Sequence, residues 1–237
     1  MSMWPLSSWS LRSQRSLRWG LYGWLVLLLL IGYWMASLYK QGQEEKQIVF
    51  ELTELGATVE AEREYGFLFY MLGLDTAKTD FYYVSLFDSE TFSETDLARL
   101  VKLTEKLPAP VDLGIGGCSQ IEDLSELRQL KNLIGLTVSR SETLTSLDGL
   151  LIPGKSYDSL VFDHCPNLTD ISALKENRIQ YLLSLEGNEN FNDISVLIYH
   201  PQVLENAALL YLKETPIPQS QIDQLQKQHS ELSIKLK

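Results

Sequence analysis

The amino-acid sequence predicts an α/β solenoid preceded by one transmembrane helix. Three features carry that expectation: an uncharged stretch of twenty residues near the N-terminus, a period of about 23 residues through most of the rest, and an uneven distribution of charge. At 237 residues and 45% hydrophobic, the chain can bury a core without disulfides or metal. The first 39 residues contain Arg12, Arg15 and Arg18 and no acid, whereas the other 198 hold 31 Asp and Glu against 17 Lys and Arg, a net charge of −14. Such an acidic surface repels phosphate backbones, so nucleic acid is not an expected partner.

The membrane segment is Gly20 to Tyr39, GLYGWLVLLLLIGYWMASLY. As a helix rising about 1.5 Å per residue it spans roughly 30 Å, the thickness of a bilayer core. Trp19, Tyr22 and Trp24 mark one end and Tyr33, Trp34 and Tyr39 the other, where amphipathic rings settle among headgroups. The three arginines precede it, while Lys40 and Lys46 follow it, diluted by Glu44 and Glu45. The rule that counts Lys and Arg therefore puts the N-terminus in the cytoplasm and the acidic remainder outside it. A cleaved secretory signal is the competing reading, with Ala36 and Ser37 near a cleavage point; bulky Trp34 and Met35 just upstream, and the length of the apolar run, weigh against it. A soluble helix apolar on all sides would need protein all round it.

The repeat begins as LGIGGCSQIEDLSEL at Leu113, LTVSRSETLTSLDGL at Leu136, LVFDHCPNLTDISAL at Leu160 and LSLEGNENFNDISVL at Leu183. Apolar residues fill the first and third places (Leu113 and Ile115, Leu136 and Val138, Leu160 and Phe162, Leu183 and Leu185), the alternation of a strand with one buried face. A small residue follows three places on, at Cys118, Ser141, Cys165 and Asn188, and then apolar residues at steps of three, a spacing that suits a helical or 3₁₀ turn.

These four units resemble the leucine-rich repeat family, whose pattern L-x-x-L-x-L-x-x-N/C-x-L they meet almost column for column. The tails IEDLSEL, LTSLDGL, LTDISAL and FNDISVL look most like the short bacterial, internalin-type repeats. That resemblance covers about 113–200 and implies a parallel sheet on a concave face, short 3₁₀ or helical turns on a convex face, and protein partners. Weaker copies of the strand signal occur at Val59 and Ala61, Val84 and Leu86, Leu210 and Leu212, and Leu232 and Ile234. Eight strands at about 4.8 Å make a sheet roughly 34 Å wide. Terminal units must hide the core from water, so both ends should carry caps.

The expected organisation is a cytoplasmic tail at 1–18, the transmembrane helix at 19–40, a membrane-proximal helix and strand capping the N-terminal end at 41–65, the repeats at 66–217, and a capping helix with an edge strand at 218–237. Ile48, Leu52 and Leu55 share one helix face that stops at Gly56. Pro218 to His229 reads as a helix with Ile222 and Leu225 inward, and Lys235 and Lys237 discourage pairing beyond the last strand.

Residues with chemical potential resolve into structural roles. Cys118 and Cys165 occupy one column two units apart, roughly 9–10 Å at about 4.8 Å per strand, beyond the bridging limit of about 7 Å, so two buried free thiols are expected despite an oxidising compartment. His164 adjoins Cys165, but neighbours on a strand point to opposite faces and cannot act as base and nucleophile. His200 and His229 lack partners at metal-ligand spacing, and neither a metal nor a cofactor is expected. The GIGG run at 114–117 lacks the spacing of a phosphate loop, and no G-x-S-x-G occurs. Asn167-Leu168-Thr169 matches a glycosylation triplet across a core column, and Asp123, Asp170 and Asp193 read as helix N-caps.

What remains is the face between the strand leucines: Tyr83, Ser85 and Phe87; Asp112 and Gly114; Thr137 and Ser139; Val161 and Asp163; Ser184 and Glu186; Tyr211 and Lys213. Its middle is small and mildly acidic with aromatics toward both ends, which suits a protein or peptide ligand better than a small molecule. The function expected is therefore a membrane-anchored binding or scaffolding module, not an enzyme. A structural role in the cell envelope is the alternative, and hydrolysis by paired carboxylates such as Asp163 and Glu186 is a remoter one.

Overall fold

The computed structural model describes residues 11–64, 78–87, 92–117 and 121–236. Two compact units divide the chain, 1–44 and 45–237. Helix α1, Leu11–Glu54, runs unbroken for 44 residues. It takes in residues 11–18 of the expected tail and continues from the expected transmembrane stretch into the membrane-proximal one. Gly42 at the expected junction costs a helix only about 1 kcal/mol, and Lys40 pairs with Glu44 one turn on at 3.5 Å.

In the first unit, the side chains from Tyr22 to Tyr39 are exposed almost throughout, Leu28, Leu29 and Leu30 at 60% or more. Among the described residues this one helix is long and apolar enough to cross a membrane. In the second unit, Leu52 is fully buried and Ile48 and Leu55 pack against the same core. The helix ends as the sequence predicts, with Gly56 left-handed at φ 87°. Its N–H donates to the Thr53 carbonyl at 2.9 Å and that of Ala57 to the Leu52 carbonyl at 3.1 Å, bonds that close the last turn.

The rest of the second unit is built on one eight-stranded sheet with the strands in sequence order. They are β1 (Thr58–Glu64), β2 (Lys78–Phe87), β3 (Val111–Gly116), β4 (Leu133–Ser139), β5 (Ser156–Asp163), β6 (Arg178–Ser184), β7 (Leu209–Tyr211) and β8 (Ser233–Lys235). From β2 to β8 every pair is parallel, but β1 runs antiparallel to β2, with Val59 opposite Val84. That reversal corrects the expectation of a parallel first strand. Apolar alternation has a period of two in either direction, so it places β1 in the sheet without orienting it.

Between the parallel strands the chain returns through short elements: helix α2 (Glu94–Thr104), 3₁₀ turns at Ser125–Gln129, Asp148–Leu150 and Ser172–Glu176, helix α3 (Ser195–Tyr199) with a 3₁₀ turn at Pro201–Val203, and helix α4 (Gln219–Gln228). Helix α2 is a finding, because the repeat pattern predicts only a short turn there. The 29-residue step from Val84 to Leu113 gives room for three helical turns. Ser93 starts them, donating its N–H to the Asp96 carboxylate at 3.1 Å, and Leu97, Leu100 and Val101 are buried. Helix α4 buries Ile222 and Leu225, as its periodicity predicts.

One row of the core crosses the sheet. Leu113, Leu136, Leu160, Leu183 and Leu210 are register partners on successive strands, and all are fully buried. Rows from the return segments face them: Ile121, Leu144, Leu168 and Phe191; Leu124, Leu147, Ile171 and Ile194; Leu127, Leu150, Leu174 and Leu197. Each such side chain contributes about 1.5–3 kcal/mol by leaving water. Neighbouring return turns come into backbone contact at Gly149, where a Cβ would stand 1.7 Å from the Leu124 carbonyl oxygen.

A second repeated feature escapes the apolar pattern. Gly117, Arg140, His164, Gly187 and Glu214 hold the same place just after successive strands, and all five are left-handed, with φ between 53° and 74°. The N–H groups of the first four continue the ladder: Gly117 to Ser139, Arg140 to Asp163, His164 to Glu186 and Gly187 to Lys213, at 2.8–2.9 Å. For Arg140 and His164 that conformation costs roughly 1–2 kcal/mol each, which the ladder and the buried column beside it offset.

Candidate binding face

Strand residues that alternate with the core point to the other face of the sheet. Register sets them in rows. One row runs Ser85, Gly114, Thr137, Val161, Ser184, Tyr211, Lys235 across β2 to β8. The next runs Tyr83, Asp112, Gly135, then across the β5 bulge to Ser159, Leu182, Leu209 and Ser233. A shorter row is Phe87, Gly116, Ser139, Asp163. The structure thus brings eleven of the thirteen predicted face residues onto adjoining rows, with Glu186 and Lys213 just past the ends of β6 and β7.

Accessibility divides them. Ser85 and Ser184 are only 8% and 4% exposed, which removes both from the surface a partner could touch. They are small side chains among larger neighbours, and the Ser184 hydroxyl is spent on the Asp163 carboxylate at 2.5 Å. Tyr83, Asp112, Thr137, Ser139, Val161, Asp163, Glu186, Tyr211 and Lys213 are half-buried, and Phe87 is exposed. Sequence reasoning missed Glu60, which faces Tyr83 across the antiparallel pair, and also Gly116, Gly135, Ser159, Leu182 and Leu209. Glu60 lies between the strand residues Val59 and Ala61, and extending the strand template by one position in each direction finds the others.

The glycines shape the relief. The Phe87 ring lies over β3: a Cβ on Gly116 would stand 2.3 Å from its Cδ1, and one on Gly114 3.2 Å from its Cζ and from the Tyr83 hydroxyl. Asp112 lies over Gly135 in the same way, its Cγ 2.6 Å from a Cβ there. Both rings and the carboxylate therefore lean onto the sheet instead of standing off it. Asp112 Oδ1 is buried and has no hydrogen-bond partner. Burial, and then the charge of Asp158, raise the Asp112 pKa above the usual carboxylate value. Burial also raises that of Tyr83, followed by Asp112 and Glu60.

Farther along, Asp163 Oδ1 accepts from Ser184 Oγ and, at 3.1 Å, from the Glu186 N–H. Burial outweighs these bonds and raises its pKa. Glu186 pairs with Lys213 at 3.4 Å, and Lys213 also reaches Glu214 at 3.6 Å. Both carboxylates of the hydrolase alternative thus already have partners.

The small-residue column behaves as hydrogen-bonding physics suggests. Buried Asn188 accepts from the Cys165 N–H at 2.7 Å and donates to the Phe162 and Leu185 carbonyls at 2.7 and 2.9 Å. Cys165 is a buried free thiol, 3.7 Å from the Val138 carbonyl, and burial pushes its pKa up to about 11. His164 is exposed at the left-handed corner, away from that sulfur. Cys118 lies outside the described residues. The aspartates correct the capping expectation by one residue: Asp123, Asp170 and Asp193 each accept from the N–H two residues on at 2.7–2.8 Å, while the N-cap positions are Leu124, Ile171 and Ile194. Asn167 donates to the Glu142 carbonyl at 2.6 Å, a bond between neighbouring units.

No family model matches the chain, and no curated protein or solved structure matches it either.

Proposed function

We propose that this chain is a single-pass membrane protein whose leucine-rich-repeat solenoid displays an acidic concave face outside the cytoplasm and binds protein partners there. The register carries the reading. It sends one row of leucines into a continuous core and the row between them onto a broad opposite face, the division of labour that repeat proteins use for recognition. The Asn188 bonds and the 3₁₀ returns are what the repeat pattern requires of its small column and its turns. The apolar exposed helix and the arginines ahead of it support the anchor and its direction.

Two measurements test it. In right-side-out vesicles, protease should remove an epitope at the C-terminus and spare one at the N-terminus; the reverse pattern overturns the topology. A photo-crosslinking residue at Thr137 or Val161 should capture a discrete protein in the native membrane, and charge reversal at Asp163 or Glu186 should weaken that capture. Equal capture from Glu142 and Asp170, on the return segments, would move the interface off this face.

A further inference from the structure

We propose that the face engages a cationic side chain, Lys or Arg, of its protein partner on the platform formed by Phe87, Tyr83 and Asp112. The inference rests on the reading of the sheet as a binding face and adds the chemistry of what binds. Three independent features converge at this end of the sheet. First, the glycines of β3 let the Phe87 ring and the Tyr83 hydroxyl lie over the strand, and Phe87 stays 43% exposed, an apolar ring area that the fold leaves open. Second, Asp112 lies beside them over Gly135, with one carboxylate oxygen buried and unpartnered. Third, the surrounding charges share one sign: Glu60 is opposite Tyr83, and Asp158 acts on Asp112.

A cation is the one group that answers all three. It is attracted to the face of an aromatic ring and donates a charge-assisted hydrogen bond to a carboxylate. It also relieves the repulsion between acids, which adds to burial in lifting the pKa of Asp112 and Tyr83. An acidic segment would bury the Asp112 carboxylate further without pairing it, and a neutral donor would pair it without offsetting its charge. The lysines of the face do not fill this place: Lys213 is engaged by Glu186 and Glu214, and Lys235 lies on β8, five strands beyond β3.

The test displays a random-peptide library against the full chain in nanodiscs of zwitterionic lipid. Selected peptides should be enriched in Lys and Arg. A representative one should lose about tenfold or more in affinity with Asp112→Asn and with Phe87→Ala, the loss expected for one charge-assisted contact. Asp193→Asn, on a return segment, should leave affinity unchanged, and thermal unfolding identifies any variant that has lost its fold. Selected peptides without basic residues, or affinity indifferent to Asp112→Asn, overturn the inference. If such peptides are still displaced by Val161→Arg, the binding face stands and only its cation preference falls; if Val161→Arg also has no effect, the binding-face reading falls with it.

Discussion

Asn188→Ala probes the bonding that joins one strand corner to the next. The amide makes three buried bonds, so its removal orphans the Cys165 N–H and deprives the Phe162 and Leu185 carbonyls of a donor. A buried donor without an acceptor costs about 1–3 kcal/mol, and each weakened carbonyl adds about 1, giving roughly 3–5 kcal/mol in all. Against a typical total of about 5–15 kcal/mol that is a large share. With a urea dependence of about 2–3 kcal/mol per molar for a unit of this size, the midpoint should fall by about 1–2.5 M. Pulse proteolysis of the full chain in detergent micelles across a urea series reads that midpoint directly. Cys165→Ala is the matched control, since its thiol makes only long contacts at 3.6–3.7 Å, and it should shift the midpoint by less than half as much. Equal shifts, or a shift of Asn188→Ala too small to resolve, would refute the assignment of the bonds to stability.

Three further outcomes are expected. Gly149→Ala should destabilise the domain by about 3 kcal/mol or more, because its Cβ meets the Leu124 backbone; Gly154→Ala has open space and only its left-handed backbone to strain, so it should cost about 1–2 kcal/mol in the same urea assay. The folded state raises the Asp112 pKa, so it binds that proton more tightly than the unfolded chain does; the contribution to stability is present below the unfolded carboxylate value and is lost as pH rises through the folded one. Asp112→Asn should accordingly raise the unfolding midpoint at neutral pH, and the gain should vanish below about pH 4. In a Cys118→Ser background, Cys165 should resist maleimide at pH 8 until the domain unfolds, because its thiol is buried and protonated; rapid labelling of folded protein would show that it is not.

Eight strand positions, the buried leucine row, the glycine-capped end of α1 and the buried face of α4 are legible from apolar spacing and one cap residue, because a period of two or three maps directly onto a buried face. The long apolar helix is legible for a similar reason: a charge-free run of twenty residues has the length of a bilayer core. The candidate face follows as the complement of the core, and eleven of its thirteen residues do fall on adjoining rows. Burial of Ser85 and Ser184 was not legible, since it depends on which neighbours lean over them.

Local spacing thus sets which residues go inside and how far apart the strands recur, since burial is a property of each side chain and its period. Only the assembled sheet decides the antiparallel course of β1, the left-handed corners at Arg140, His164 and Glu214, and the low platform of Phe87 and Asp112 over glycine. Those features depend on contacts between residues more than twenty positions apart, or on backbone angles that an Arg or a His adopts only when hydrogen bonds from the next strand hold it there.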